Sequence, residues 1–115
     1  HRKLWLIDHG AALYVHHTWE QYLLRARGSF AAIRDHVLLP LADDIQAADE
    51  RLAPMLTPTL IEWVVAAIPD EWLAHDRALG DATAQRAAYV QYLLARLAAP
   101  RAFVEEAVNA RARHV

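Results

Sequence analysis

Leu4-Trp5-Leu6-Ile7-Asp8-His9-Gly10-Ala11-Ala12-Leu13-Tyr14 decides how the rest of this chain is read. Four apolar residues run into one carboxylate, a glycine follows two positions later, and a second apolar run begins. That order is the pattern of a buried strand, a sharp turn presenting one acid, and a return strand. The predicted β-hairpin spans Arg2 to Tyr14, with Asp8-His9-Gly10 as its turn and Gly10 free to take φ > 0. It is the segment that reads as chemistry, and everything after it reads as a helical body.

Working outward, Thr18 is a predicted N-cap for a helix from Trp19 to about Ala26 that ends at Gly28. Phe30, Ile33, Val37 and Leu38 share one helical face, so a helix is expected from Phe30 to Leu39, capped by Ser29 and stopped by Pro40. A second amphipathic helix is expected from Leu41 to about Ala53, with Leu41, Ile45, Ala48 and Leu52 facing in and Asp43, Asp44, Gln46, Asp49 and Glu50 facing water. Thr57-Pro58 is a cap followed by proline at the first helical position. The helix it starts, Pro58 to about Ala67, is apolar on nearly every side, which predicts the central helix of the body. A short turn of helix at 69–73 is expected to pack Trp72 back on the core. Gly80-Asp81 is a break and a cap. The longest helix then runs from Ala82 to about Ala98, with Val90, Leu93, Leu94 and Leu97 as its buried stripe and Tyr89 and Tyr92 flanking. Pro100 opens a last helix to about Ala112. No internal repeat or linker appears.

The expected fold is mainly α: an N-terminal β-hairpin (1–17) followed by a compact bundle of five or more helices (18–115), in one domain. The 115 residues, 56% apolar with four Trp, four Tyr and two Phe, are enough for a real core. A core strand so near residue 1 needs neighbouring strands, of which this sequence supplies at most one, so the chain is expected to be a piece of something longer.

Composition narrows the function. There is no cysteine, which excludes disulfides, thiolate catalysis and Cys-ligated metal, and is compatible with a cytoplasmic setting. A formal net charge of −2 gives no nucleic-acid signature, and no apolar run reaches membrane-spanning length. The charge is segregated. Acids dominate from Asp35 to Asp81, where the bases are only Arg51 and Arg77, whereas Arg86, Arg96, Arg101, Arg111 and Arg113 dominate afterwards. Two complementary solvated surfaces account for this most simply.

Asp8 is the first candidate for chemistry. A carboxylate at a strand end, before a glycine turn, can hold Mg²⁺, which retains most of its water and needs few protein ligands. The competing reading is an Asx-type turn in which Asp8 bonds its own loop. His16 and His17 are adjacent and therefore point apart on a strand or helix. A zinc site drawn from Asp8, His9, His16 and His17, as in a metal hydrolase, is a third alternative. His36 and His75 read as surface or helix-end residues. Ser29 is the only serine and serves best as a cap, so no hydrolase triad is encoded. Nor is a Walker loop or a Gly-x-Gly-x-x-Gly present.

The stretch 4–14 resembles the metal-binding segment of HipA-like kinases, the bacterial branch labelled "HipA family kinase". Ile33-Arg34-Asp35-His36-Val37-Leu38-Leu39-Pro40, Ile68-Pro69-Asp70-Glu71-Trp72-Leu73 and Arg86-Ala87-Ala88-Tyr89-Val90-Gln91-Tyr92-Leu93-Leu94 agree with it, so the resemblance spans nearly the whole chain. It implies the C-terminal part of a kinase-like catalytic lobe. Asp8 would be the Mg²⁺ ligand, and Asp8, His9 and Gly10 would form the turn over bound ATP. Protein kinases carry Asp-Phe-Gly at this turn, and here His9 replaces the Phe. The resemblance also places the catalytic Asp, the strand Lys and the phosphate-covering loop in a kinase portion N-terminal to His1, so the chain alone is expected to be inactive. The partners expected are that missing portion and, through exposed apolar surface, a second copy; neither nucleic acid nor membrane is expected. The alternative function is a non-catalytic helical interaction or dimerisation module.

Overall fold

The computed structural model describes residues 3, 5, 13, 15, 18–74 and 78–113. The predicted hairpin over 2–14 lies almost wholly outside these residues, and there is no strand among the described ones. What they form is helical: α1 Tyr22–Ala26, α2 Ile45–Leu52, α3 Pro58–Ala66, α4 Asp70–Leu73, α5 Ala82–Leu97 and α6 Ala102–Ala112, with 3₁₀ turns at Ala31–Asp35, Leu39–Leu41 and Ala53–Met55.

α5 is the longest of these helices and the organiser. Gly80, at φ 99°, turns the chain in a region open to glycine. Asp81 then accepts the Ala84 N–H through Oδ1 at 2.9 Å and starts the helix. Its buried residues are Gln85, Ala88 and Tyr92. The stripe predicted from Val90, Leu93, Leu94 and Leu97 is only half-buried, and Tyr92, expected to flank the core, lies in it. The packing centre sits between α5 and the segment leading into α1: Val15, Trp19, Ala26, Ala88 and Tyr92. Trp19 meets Tyr22 and Tyr89 edge-on, with centroids 5.6 and 4.8 Å away, a favoured aromatic geometry.

This core displaces the first predicted helix. Trp19 is drawn inward and Gln21 takes a left-handed φ of 51°, so α1 begins at Tyr22. Thr18 does not cap it; its Oγ1 accepts the Glu20 N–H at 3.4 Å. The helix expected over 30–39 is replaced by two 3₁₀ turns. Between them the backbone is extended at His36, whose Nδ1 accepts the Leu38 N–H at 3.2 Å. This local bond competes with helix continuation. Leu39 is buried, while Val37 and Leu38 project outward. Pro40, expected as a stop, sits at the start of the second turn. Ser29 makes no capping bond there.

α2 begins later than expected because Asp44 is the cap, accepting the Ala47 N–H at 2.8 Å. Leu41 and Leu52, predicted to face in, are exposed. Thr57 caps α3 as predicted, accepting the Leu60 N–H at 3.2 Å, with Pro58 at the first position. α3 is nevertheless not central. It lies against α5 through Ile61 and Val65, and Trp63 is 71% exposed. In α4, Leu73 is the inward residue and Trp72 points out. α6 packs against α2 and the 31–35 turn, burying Val104 and Ala110.

Arginines tie these elements together. Arg101 makes a forked contact with the Asp49 carboxylate, from Nε at 2.8 and 3.0 Å and from Nη2 at 2.5 Å. Arg86 pairs with Asp70 and donates to the Ile68 carbonyl at 2.5 Å. Arg96 donates to the carbonyls of Ala26 and Gly28 at 3.1 and 3.2 Å, where the end of α1 favours a cation, and lies 4.5 Å from the centroid of the Phe103 ring. Arg111 donates to the Ala42 carbonyl at 2.9 Å. The acidic and basic halves of the chain are thus complementary within the molecule.

Candidate functional site

Asp8, His9 and Gly10 lie outside the described residues, as do His16, His17 and His75. What is described is how Leu13 and Val15, a few positions later in sequence, are fastened. Val15 is 1% exposed and belongs to the packing centre. Its carbonyl accepts the Thr18 N–H at 3.2 Å. The Leu13 carbonyl accepts the Tyr92 hydroxyl at 3.4 Å. Burial of Val15 and the bond to α5 therefore anchor the chain within a few residues of Asp8, with Trp19 locking the anchor from the other side. Two β-branched or aromatic side chains in the packing centre hold such an anchor more firmly than loop contacts would.

The remaining candidates resolve into structural roles. Among the described residues, no group of three or more His, Asp or Glu side chains is placed to hold a metal. His36 is exposed and acts as a turn acceptor. The arginines of α5 and α6 are engaged with the protein's own acids and carbonyls, as given above, which leaves them poorly suited to gather phosphates.

One open cavity of about 570 Å³ lies between α4 and the start of α5, lined by Asp70, Leu73, Gly80, Asp81 and Gln85 among others. Its polar groups are already engaged. Asp70 pairs with Arg86, Asp81 caps α5, and buried Gln85 donates to the Leu73 carbonyl at 2.8 Å. These bonds hold the α4–α5 connection in place, although the buried Arg86 Nε has no hydrogen-bond partner and the Asp70 side chain stays largely exposed.

Among the described residues, the resolved perturbation of an ionisable group is at Arg101. Hydrogen bonds to Asp49 push its pKa above its already high ordinary value, partial burial opposes this, and the Asp49 charge adds to it. The group stays a cation in any biological setting, so it is a fastening between α2 and the start of α6, with no acid–base role.

The sequence already marks the apolar helix over 60–68, beside an acid-rich helix, as the motive for the interaction-module alternative; which of its faces is open comes only from the structure. The all-round apolar character of 58–67 also pointed to burial. Only the packing shows that one stripe of the helix is covered. No protein-family model, no curated protein and no solved structure matches this chain.

Proposed function

We propose that this chain is the C-terminal helical part of a HipA-like, ATP-dependent kinase, and that Asp8 of Asp8-His9-Gly10 is its Mg²⁺ ligand. The observation that carries the reading is the sequence 4–14, an apolar run ending in a single carboxylate and a glycine turn. The mainly helical body that follows is in keeping with it, as is the fastening of Leu13 and Val15 to α5.

The donor chemistry suits the ion. A carboxylate oxygen is a hard ligand, and Mg²⁺ takes one or two such groups along with phosphate oxygens and water. When bound with ATP, the ion neutralises charge on the transferring phosphoryl group. Asp8 would hold the ion through its carboxylate, and Gly10, which has no Cβ, would permit a turn beside it. Val15, Trp19 and Tyr92 supply the rigidity on which such positioning depends. The catalytic Asp and the phosphate-covering loop belong to the rest of the parent protein, so the 115-residue chain alone does not transfer phosphate. In the complete protein, Mg²⁺-dependent stabilisation by ATP in a thermal shift assay is expected for wild type and lost in Asp8→Asn. Equal stabilisation in both would refute the role given to Asp8.

A second reading, a helical interaction module, is favoured by one observation. Leu60, Trp63 and Val64 project from α3 and are partly to largely exposed.

A further inference from the structure

α3 is apolar all round yet covered along one stripe only. Ile61 and Val65 face α5, and Leu60, Trp63 and Val64 are 37%, 71% and 50% exposed. An exposed cluster of this kind on a helix ordinarily marks a place where something docks. An open cleft adjoins the start of α3. Leu56, 41% exposed just before the α3 cap, lines this cleft of about 360 Å³ with Glu50, Pro54, Leu94, Leu97 and Arg101, whose charge is taken up by Asp49.

The surrounding charge identifies the occupant. From Leu41 to Leu73 the chain carries seven acids against one base, Arg51. Asp49 and Asp70 are neutralised by Arg101 and Arg86. Glu50 at the cleft, Glu62 on α3 and Glu71 on α4 are exposed. Two copies meeting through this face would bring two acidic surfaces together, an arrangement that costs affinity. The dimensions point the same way. The nine residues of α3 present a ridge about 13 Å long, enough for the few anchors of one amphipathic helix. A stable dimer needs nearer to about 800 Å² from each partner.

We propose that the outer face of α3 and the adjoining Glu50–Leu56 groove form a docking site for an amphipathic helical segment of a partner protein, one bearing apolar anchors flanked by Lys or Arg. The site rests on the same exposed face as the interaction-module reading and is independent of Asp8. Trp63 is the central anchor, since a large, rigid and desolvatable side chain concentrates binding energy. Glu50 and Glu62 select the sign of the partner's charge.

The test uses the full 115-residue chain and a synthetic helical peptide of about 14 residues with Leu at i, i+3, i+4 and i+7 and Lys elsewhere, beside a twin with Glu in place of Lys. Binding is followed by calorimetry, and folding of each variant by circular dichroism. The Lys peptide is expected to bind at least about tenfold more tightly than its twin. Trp63→Ala and Leu60→Ala should each weaken it, the former by about tenfold or more, and Glu62→Lys should narrow the preference between the peptides. Failure of the Lys peptide to bind, equal binding of the twin, or full affinity in Trp63→Ala would overturn the proposal. So would concentration-dependent dimerisation abolished by Trp63→Ala, because the occupant would then be a second copy. None of these outcomes bears on the Mg²⁺·ATP test of Asp8, so the two readings fail separately.

Discussion

Single residues carry much of this fold through backbone bonds that sequence pattern exposes directly. Gly80 and Asp81 are the clearest pair, because a glycine before a capping acid is a local signal and the helix follows from it. A Cβ on Gly80 would meet only the Ala84 Cβ at 3.6 Å, an ordinary contact, so the cost of Gly80→Ala is conformational and comes from φ 99°. A loss of about 1 kcal/mol or more is expected in urea unfolding. Arg101 makes a different prediction. Its folded-state pKa is raised, so its contribution is complete below the unfolded value and disappears only as pH climbs through the folded value, far into the alkaline range. Arg101→Met leaves the Asp49 carboxylate, 13% exposed, without its partner and should lower the melting temperature. The difference from wild type should be constant from neutrality to about pH 10. A difference that shrinks in that window would show that another titrating group sets the effect.

At the scale of elements, legibility depended on whether an element's boundary is made locally. The Thr57 and Asp81 caps hold, and with them the start of α3 and of α5. The run 30–39 could not be read correctly from spacing, because the His36 imidazole bonds the Leu38 backbone and breaks the helix into short turns. α1 starts late for a tertiary reason, the burial of Trp19 against Tyr89. The placement of α3 is also a tertiary fact. A helix apolar on all sides fits a core or a covered surface equally well, and nothing within 58–67 distinguishes them. Two tryptophans test this directly. Trp19→Ala should cost about 3–5 kcal/mol, as expected for emptying a packed site. Trp63→Ala should stay within about 0.5 kcal/mol of wild type, because its ring is outside the fold. Comparable losses in chemical denaturation would place α3 in the core after all.

At the scale of the molecule, the described chain is open in shape. Its radius of gyration is 15.9 Å, with extents of 48 × 37 × 25 Å, against about 13 Å for a compact chain of this length. Val37, Leu41, Trp63 and Trp72 are each more than 70% exposed. Such a surface is in keeping with a body that works against another body, whether the remainder of a kinase or a docked helix. No helix among the described residues is long and apolar enough to cross a membrane. Of the candidate site, Asp8-His9-Gly10 was legible only as a motif; its anchor at Val15, Trp19 and Tyr92 emerged from packing.

Phosphate transfer from ATP by the complete parent protein, compared between wild type and Asp8→Asn, bears most directly on the kinase assignment. A fall of at least about 10²–10³-fold in turnover is expected, the scale of losing a charge-stabilising group, with the melting temperature unchanged. Wild-type turnover in Asp8→Asn would contradict it.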